Sequence, residues 1–299
     1  MNIIFYCYCF FGKFDIKSIK NTRDDFMIID FHTHIFPDKI AERAIASLEA
    51  SLWEVSKLDK KAATDGTLAG FKKSIAEFGI DYSVIMPIAT NPKQTPSINS
   101  FAKEISGKDG VFSFGSVHPL EEDALEVLEQ LKRDGFIGIK LHPEYQSFYI
   151  DSEESLRVLK KAEELGLYVM LHTGKDAGIL PPVHCMPERL KNALNYVDGG
   201  NIIAAHMGGY LVWDEVYEHL AGTSIYLDTS YSVGMMDDEM AEKIIRKHGT
   251  KKILFGSDSP WQVQGDAVKA LYNLDLTDEE KQDIFFNNGA EILKISGTL

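Results

Sequence analysis

Cysteine is scarce in this sequence: there are three among 299 residues, Cys7, Cys9 and Cys185, and none at CxxC spacing. An odd, unspaced set supports neither a disulfide framework nor a thiolate zinc site, and it points to a reducing compartment, the cytoplasm. Long apolar runs are also missing. Ile3 to Phe11 falls far short of the roughly 20 residues of a spanning helix. It also lacks the flanking positive charge and small residues of a secretory leader. Positive charge is in deficit, with 31 Lys and Arg against 45 Asp and Glu, a net of −14. That balance excludes a standing grip on nucleic acid or on an anionic membrane, both of which need clustered cations, and leaves small molecules as partners. Finally, no glycine-rich phosphate loop follows the first apolar run, as it would in a dinucleotide-binding sheet.

What is present is an alternation. Eight short apolar runs, 27–31, 82–88, 111–117, 136–141, 167–171, 201–205, 224–227 and 252–255, are separated by segments with apolar residues three and four apart. The clearest of these helical segments are 68–78, 124–133, 155–165 and 238–248. Eight strands alternating with helices predict an α/β chain folded as one (β/α)8 TIM barrel, a unit of roughly 250 residues. Thr277 and Glu280 have capping-box spacing and predict a C-terminal helical addition after the eighth strand. Residues 1–26 are expected outside the barrel, which occupies 27–299. The stretch Phe36 to Gly66 is longer than a crossover needs and is expected as a helical flap over the mouth.

The nine histidines are placed unevenly. His32 and His34 follow the first run, His118 the third, His142 the fourth, His172 the fifth and His206 the sixth. In a parallel barrel these strand ends converge on the face that carries the active site. His184 falls in a loop, and His219 and His248 read as surface helix residues. Residues i and i+2 of an extended strand project to one side, so His32 and His34 are predicted to share a metal. His172 and Asp258, at the end of the eighth run, complete a nitrogen and oxygen donor set suited to Zn2+, or to Mn2+ or Fe2+.

Asp30-Phe31-His32-Thr33-His34, Gly138-Ile139-Lys140-Leu141-His142-Pro143, Leu171-His172-Thr173-Gly174, Ala205-His206-Met207-Gly208-Gly209 and Gly256-Ser257-Asp258-Ser259-Pro260 occur in this order. As a set, over about 27–295, they resemble the amidohydrolase superfamily, in particular the amidohydrolase-related branch that includes aminocarboxymuconate-semialdehyde decarboxylase and related hydrolases. The resemblance implies a metal-dependent barrel in which His32, His34, His172 and Asp258 hold one divalent cation and His206 stands beside it. It leaves Lys140 open: a carboxylated Lys140 would bridge a second metal, and otherwise Lys140, with His142 and Trp261, would contact substrate.

On this reading a metal-activated water hydrolyses an amide, ester or lactone of a small molecule. Asp258 moves the proton and His206 donates to the developing oxyanion. The alternative keeps the metal and makes the chain a non-oxidative decarboxylase, a carboxy-lyase of an unsaturated or aromatic acid, whose anion Arg189 or Lys140 would hold. A third possibility is a non-catalytic metabolite-binding barrel. By analogy with such barrels a homodimer is expected, with no nucleic-acid or membrane partner.

Overall fold

The computed structural model describes residues 26–295. Among them eight parallel strands close a barrel. They are β1 (Ile29–Thr33), β2 (Tyr82–Ile85), β3 in two pieces (Val111–Ser113 and Gly115–Ser116), β4 (Gly138–Leu141), β5 (Tyr168–Leu171), β6 (Ile202–Ala204), β7 (Tyr226–Asp228) and β8 (Ile253–Leu254). Each strand pairs in parallel with the next. Phe114 interrupts β3 but keeps its N–H on the Ile85 carbonyl at 3.0 Å. The ring closes where Phe31 N–H meets the Phe255 carbonyl and Asp258 N–H meets the His32 carbonyl, both at 2.8 Å.

The predicted helices form with ordinary ends. Helix α1 (Asp38–Ser56) belongs to the long β1–β2 connection. Helix α2 (Leu68–Phe78) starts on the Thr67 hydroxyl, which accepts from Gly70 N–H, and stops at Gly79 in the left-handed region. Around the barrel follow α3 (Thr95–Ile105), α4 (Ala124–Arg133), α5 (Glu153–Leu165), α6 (Pro187–Ala193), α7 (Trp213–His219), α8 (Asp238–His248) and α9 (Gln264–Tyr272).

Strand alternation sorts the core into two layers. Ile85, Ile139, Leu141, Val169, Leu171 and Leu227 face the helices and pack with Leu128, Leu131 and Val158. Each buried Leu or Val contributes about 1.5–3 kcal/mol. Ile29, Phe31, Val84, Met86, Phe114, Met170, Ile203 and Leu254 fill the barrel interior. Gly138 lets this layer close, since a Cβ there would lie 2.5 Å from the Phe114 ring.

The C-terminal addition is the floor of the barrel. The predicted capping box at Thr277 and Glu280 is formed, and a π-helical turn, Asp283–Asn287, leads into Asn288–Leu293. Phe286, Ala290, Ile292 and Leu293 join the interior cluster from below. Phe26 stacks on Phe285 at 5.8 Å between centroids. Residues 1–25, which hold most of the expected N-terminal extension with Cys7 and Cys9, lie outside the described residues. Cys185 is buried and free. No helix among the described residues is long and apolar enough to cross a membrane.

The expected flap is present. Helix α1 reaches the loop after β5, where the Ser56 hydroxyl bonds the Ala177 carbonyl. Beyond α1, Ala63 N–H donates to the Pro260 carbonyl at 2.7 Å, and Lys60 lies over the Tyr231 ring. The β1–β2 connection therefore crosses the loops that follow β5, β7 and β8. One expectation fails: His248 is buried, not a surface residue. Its Nε2 lies 2.9 Å from the Ile225 carbonyl and its Nδ1 accepts from Gly222 N–H, joining α8 to the segment that leads into β7.

Candidate metal centre

Strand β1 carries His32 and His34 to the mouth by a device that simple alternation does not provide. Ile29 and Phe31 point inward, so Asp30 points outward, where it accepts from Gln264 Nε2 of α9 at 2.7 Å and from Ser257. Plain alternation would put His32 on the side of Asp30. The β1–β2 register shifts between Asp30 and Thr33, and beyond that irregularity the imidazoles face the barrel interior. Gly256 on the neighbouring chain segment makes room, because a Cβ there would lie 2.9 Å from His32 Cβ.

Each imidazole is fixed by its far nitrogen. His32 Nδ1 lies 2.7 Å from Asp228 Oδ2, and His34 Nδ1 lies 2.8 Å from the Met86 carbonyl. These oxygens accept from Nδ1–H and leave both Nε2 lone pairs turned to Asp258 Oδ1, at 3.6 and 3.2 Å. A cation with bonds of about 2.0–2.2 Å holds tetrahedral donors about 3.3–3.6 Å apart, so His32, His34 and Asp258 fit one. Burial, then the Lys140 charge, holds His32 well below the ordinary imidazole range. Burial works to raise Asp258, but the neighbouring imidazoles of His34, His32 and His206 outweigh it and keep the carboxylate below its usual range.

The structure places His172 elsewhere. Its ring stacks on His142 at 4.1 Å and 14°, and the distances between donor atoms group it with His142 and Asp176 and not with His32, His34 and Asp258. His206 joins the two groups. Its Nε2 is 3.0 Å from His172 Nδ1, and its Nδ1 is 3.0 Å from the Ser230 carbonyl. Both ring nitrogens of His206 are thus engaged within the cluster. Trp213 donates its indole N–H to the His206 carbonyl at 3.2 Å. Residues His206, Met207, Tyr231 and Asp258 all adopt positive φ, a cost concentrated at the mouth.

Lys140 is fully buried with Nζ 3.1 Å from His32 Nε2, and burial lowers its pKa to about 8 against the pull of Asp228 and Asp258. Trp261 is half-buried just past Asp258, to whose carbonyl its backbone N–H donates. Arg189 does not reach the mouth: its guanidinium bonds both Asp151 oxygens at 2.8 and 3.1 Å and lies over Tyr149. His118 takes part in a local turn, its Nδ1 accepting from Leu120 N–H.

Among the residues of the site, Asp228, Ser230, Asp176, Glu144, Tyr210 and Tyr231 escaped the sequence reading, whereas Tyr145 follows the fourth apolar run and is expected near the mouth. Asp228 and Ser230 sit at the end of β7 just as the histidines end their strands, so a survey of every polar strand end would have found them. Asp176 and Glu144 lie beyond the strand ends, where nothing in the sequence marks them. Tyr145, Tyr210 and Tyr231 are raised above the usual phenol range, by burial first and then by neighbouring groups that include Asp176 or Asp258, so their hydroxyls stay protonated beside the clusters.

The amidohydrolase family profile (Amidohydro_2) matches residues 29–295. No curated protein matches the sequence. Among solved structures, a TIM-barrel protein from Bordetella bronchiseptica aligns with TM-score 0.70 at 16% identity, over 90% of this chain and 98% of that one. A dihydroxybenzoic acid decarboxylase from Polaromonas, with bound manganese and 2-nitroresorcinol, aligns with TM-score 0.65 at 16% identity, over 90% and 97%. The 5-carboxyvanillate decarboxylase LigW from Sphingomonas paucimobilis aligns with TM-score 0.61 at 14% identity, over 90% and 99%.

Proposed function

The chain belongs to the amidohydrolase family, and from that premise and the site geometry we propose that it is a metal-dependent hydrolase of a small, uncharged amide, ester or lactone. The observation that carries the metal is the pair of Nδ1 anchors, Asp228 and Met86, which leave two imidazole lone pairs and one carboxylate oxygen converging. When bound, the divalent cation supplies a Lewis acid that polarises an oxygen of water or substrate.

Within that arrangement Asp258 is the proton carrier. Its carboxylate is held ionised, and Oδ1 lies beside the two Nε2 atoms where a reacting water would sit, so it takes the water proton and returns it to the leaving group. His206 acts as a positioning residue between Ser230 and His172. The protonated hydroxyls of Tyr145, Tyr210 and Tyr231 offer neutral donors to a substrate oxygen. Arg189 is committed to Asp151, and Lys140 is buried against His32. Neither cation weighed for an acid substrate is free at the mouth, which favours hydrolysis over decarboxylation.

The carboxy-lyase reading draws its support from the aromatic-acid decarboxylases among the similar structures. A single panel separates the two. Metal-replete protein is assayed for acid release from amides, esters and lactones, and for carbon dioxide release from aromatic and unsaturated acids. Hydrolysis without carbon dioxide release is expected. Carbon dioxide release with no hydrolysis overturns the proposal.

A further inference from the structure

We infer that the groove between α3 and α4, on the outer wall of the barrel, binds a small primary ammonium ion with an apolar body, held by the Glu121 carboxylate. The groove has a volume of about 690 Å³ and shares no residue with the metal clusters at the mouth. Small-molecule sites ordinarily measure roughly 300–1,000 Å³. Pro92, Pro96, Leu120, Val127 and Leu131 supply apolar walls, and Leu120 is 51% exposed.

The floor of the groove is polar and buried, with Thr95 2% and Glu121 8% exposed. Glu121 stands in the turn between β3 and α4, where its N–H donates to the His118 carbonyl at 2.9 Å. Its Oε1 accepts from His118 N–H at 3.0 Å and from the Thr95 hydroxyl. Its Oε2 has no hydrogen-bond partner among the described residues. That oxygen is not sealed from solvent, so it opens on the groove that the side chain lines. Asn99 commits both ends of its amide to the Ser116 backbone, at 2.8 and 2.9 Å. The carboxylate oxygen left over is therefore Glu121 Oε2.

Charge selects the ligand. Lys93 and Lys103 line the groove against the carboxylates of Glu121, Glu122, Asp123 and Asp134, and Lys103 is already paired with Asp134 at 2.6 Å. Among the described residues no cation lies against Glu121. Burial pushes its pKa up and Asp123 adds to that, against the hydrogen bonds from Thr95 and His118. A buried carboxylate without a counter-ion is unfavourable, and a ligand that brings the cation relieves it. Anions are repelled, and one free oxygen between apolar walls is no coordination shell for a metal ion. A primary ammonium donates an N–H to Oε2 while its apolar body covers Leu120, Val127 and Leu131.

The test is calorimetric titration of the full chain with benzylammonium, benzyl alcohol and benzoate, with methyl NMR of leucines and valines to locate each probe. Benzylammonium is expected to bind at one per chain and to shift the methyls of Leu120, Val127 and Leu131. Benzyl alcohol should bind at least about tenfold more weakly, because it lacks the charge that strengthens the bond to a carboxylate, and benzoate should not bind. Glu121→Gln, which keeps an acceptor for His118 N–H, should weaken benzylammonium by a similar factor and leave benzyl alcohol unchanged. Leu120→Lys, at an exposed position, places a competing ammonium in the groove without altering the Glu121 turn and should abolish binding. The inference is overturned if millimolar benzylammonium does not bind, if benzyl alcohol matches it, or if binding survives in Leu120→Lys. Shifts confined to the methyls of Leu141 and Leu171, next to the mouth, overturn it as well.

Discussion

The interior of the barrel changes chemistry within one step of two residues. On β5 Met170 belongs to the apolar interior and His172 to the mouth; on β7 the same step leads from Tyr226 to Asp228. Below, Phe31 and Phe114 meet edge to face at 5.9 Å, floored by Phe286 and Leu293. Above, imidazoles and carboxylates are buried at the cost of desolvation, and His32, His142 and His172 are driven well below the ordinary imidazole range by that burial. The lower half thus stabilises the fold that holds an upper half unfavourable by itself. Substitutions in the two halves should separate cleanly into losses of stability and losses of chemistry.

The largest effect is expected at the top. Asp258→Asn should lower kcat by about 10²–10⁴-fold and remove one bound cation, while the metal-free chain unfolds near the wild-type midpoint. Unchanged turnover and metal content would break the contrast. At the bottom, Phe31→Ala should cost about 3–5 kcal/mol in urea unfolding and leave the metal content of the folded chain intact.

A smaller loss tests the anchors that join the halves. Asp228→Asn frees His32 Nδ1 and should weaken cation affinity by about 10–100-fold in competition dialysis, with a modest change in unfolding. If affinity holds, the aim of His32 comes from packing alone.

The smallest effect lies away from both halves, at His248. Burial depresses its pKa, so the folded chain favours the neutral ring while the unfolded chain takes up a proton near the ordinary 6.5. Its contribution is present above that value and lost as pH falls through the lower, folded pKa. Acidification from about pH 7.5 to about 5.5 should cost the wild type up to about 1 kcal/mol through this group. His248→Gln should flatten that dependence, and an identical slope in both proteins would show that other groups carry it.

The strand ends were legible because a parallel barrel turns sequence periodicity directly into position: each apolar run ends at the mouth. That placed His32, His34, His142, His172, His206 and Asp258 on one face. Partnership among them was not legible. The motifs group His172 with His32 and Asp258, but its ring lies against His142, on the neighbouring strand of the barrel wall. Nor does periodicity reveal the β1 irregularity, since His32 reaches the mouth against the alternation that Ile29, Asp30 and Phe31 obey.

The sequence by itself determined the eight-strand alternation, the helical addition behind Thr277 and the histidine-rich end of the barrel, all of which follow from local patterns of apolar and polar residues. Tertiary structure alone decided which nitrogen of each histidine is free. That choice depends on oxygens far away in the chain, Asp228 for His32, Met86 for His34, Ser230 for His206, and a ring with two nitrogens takes its chemistry from whichever one its neighbours leave unoccupied.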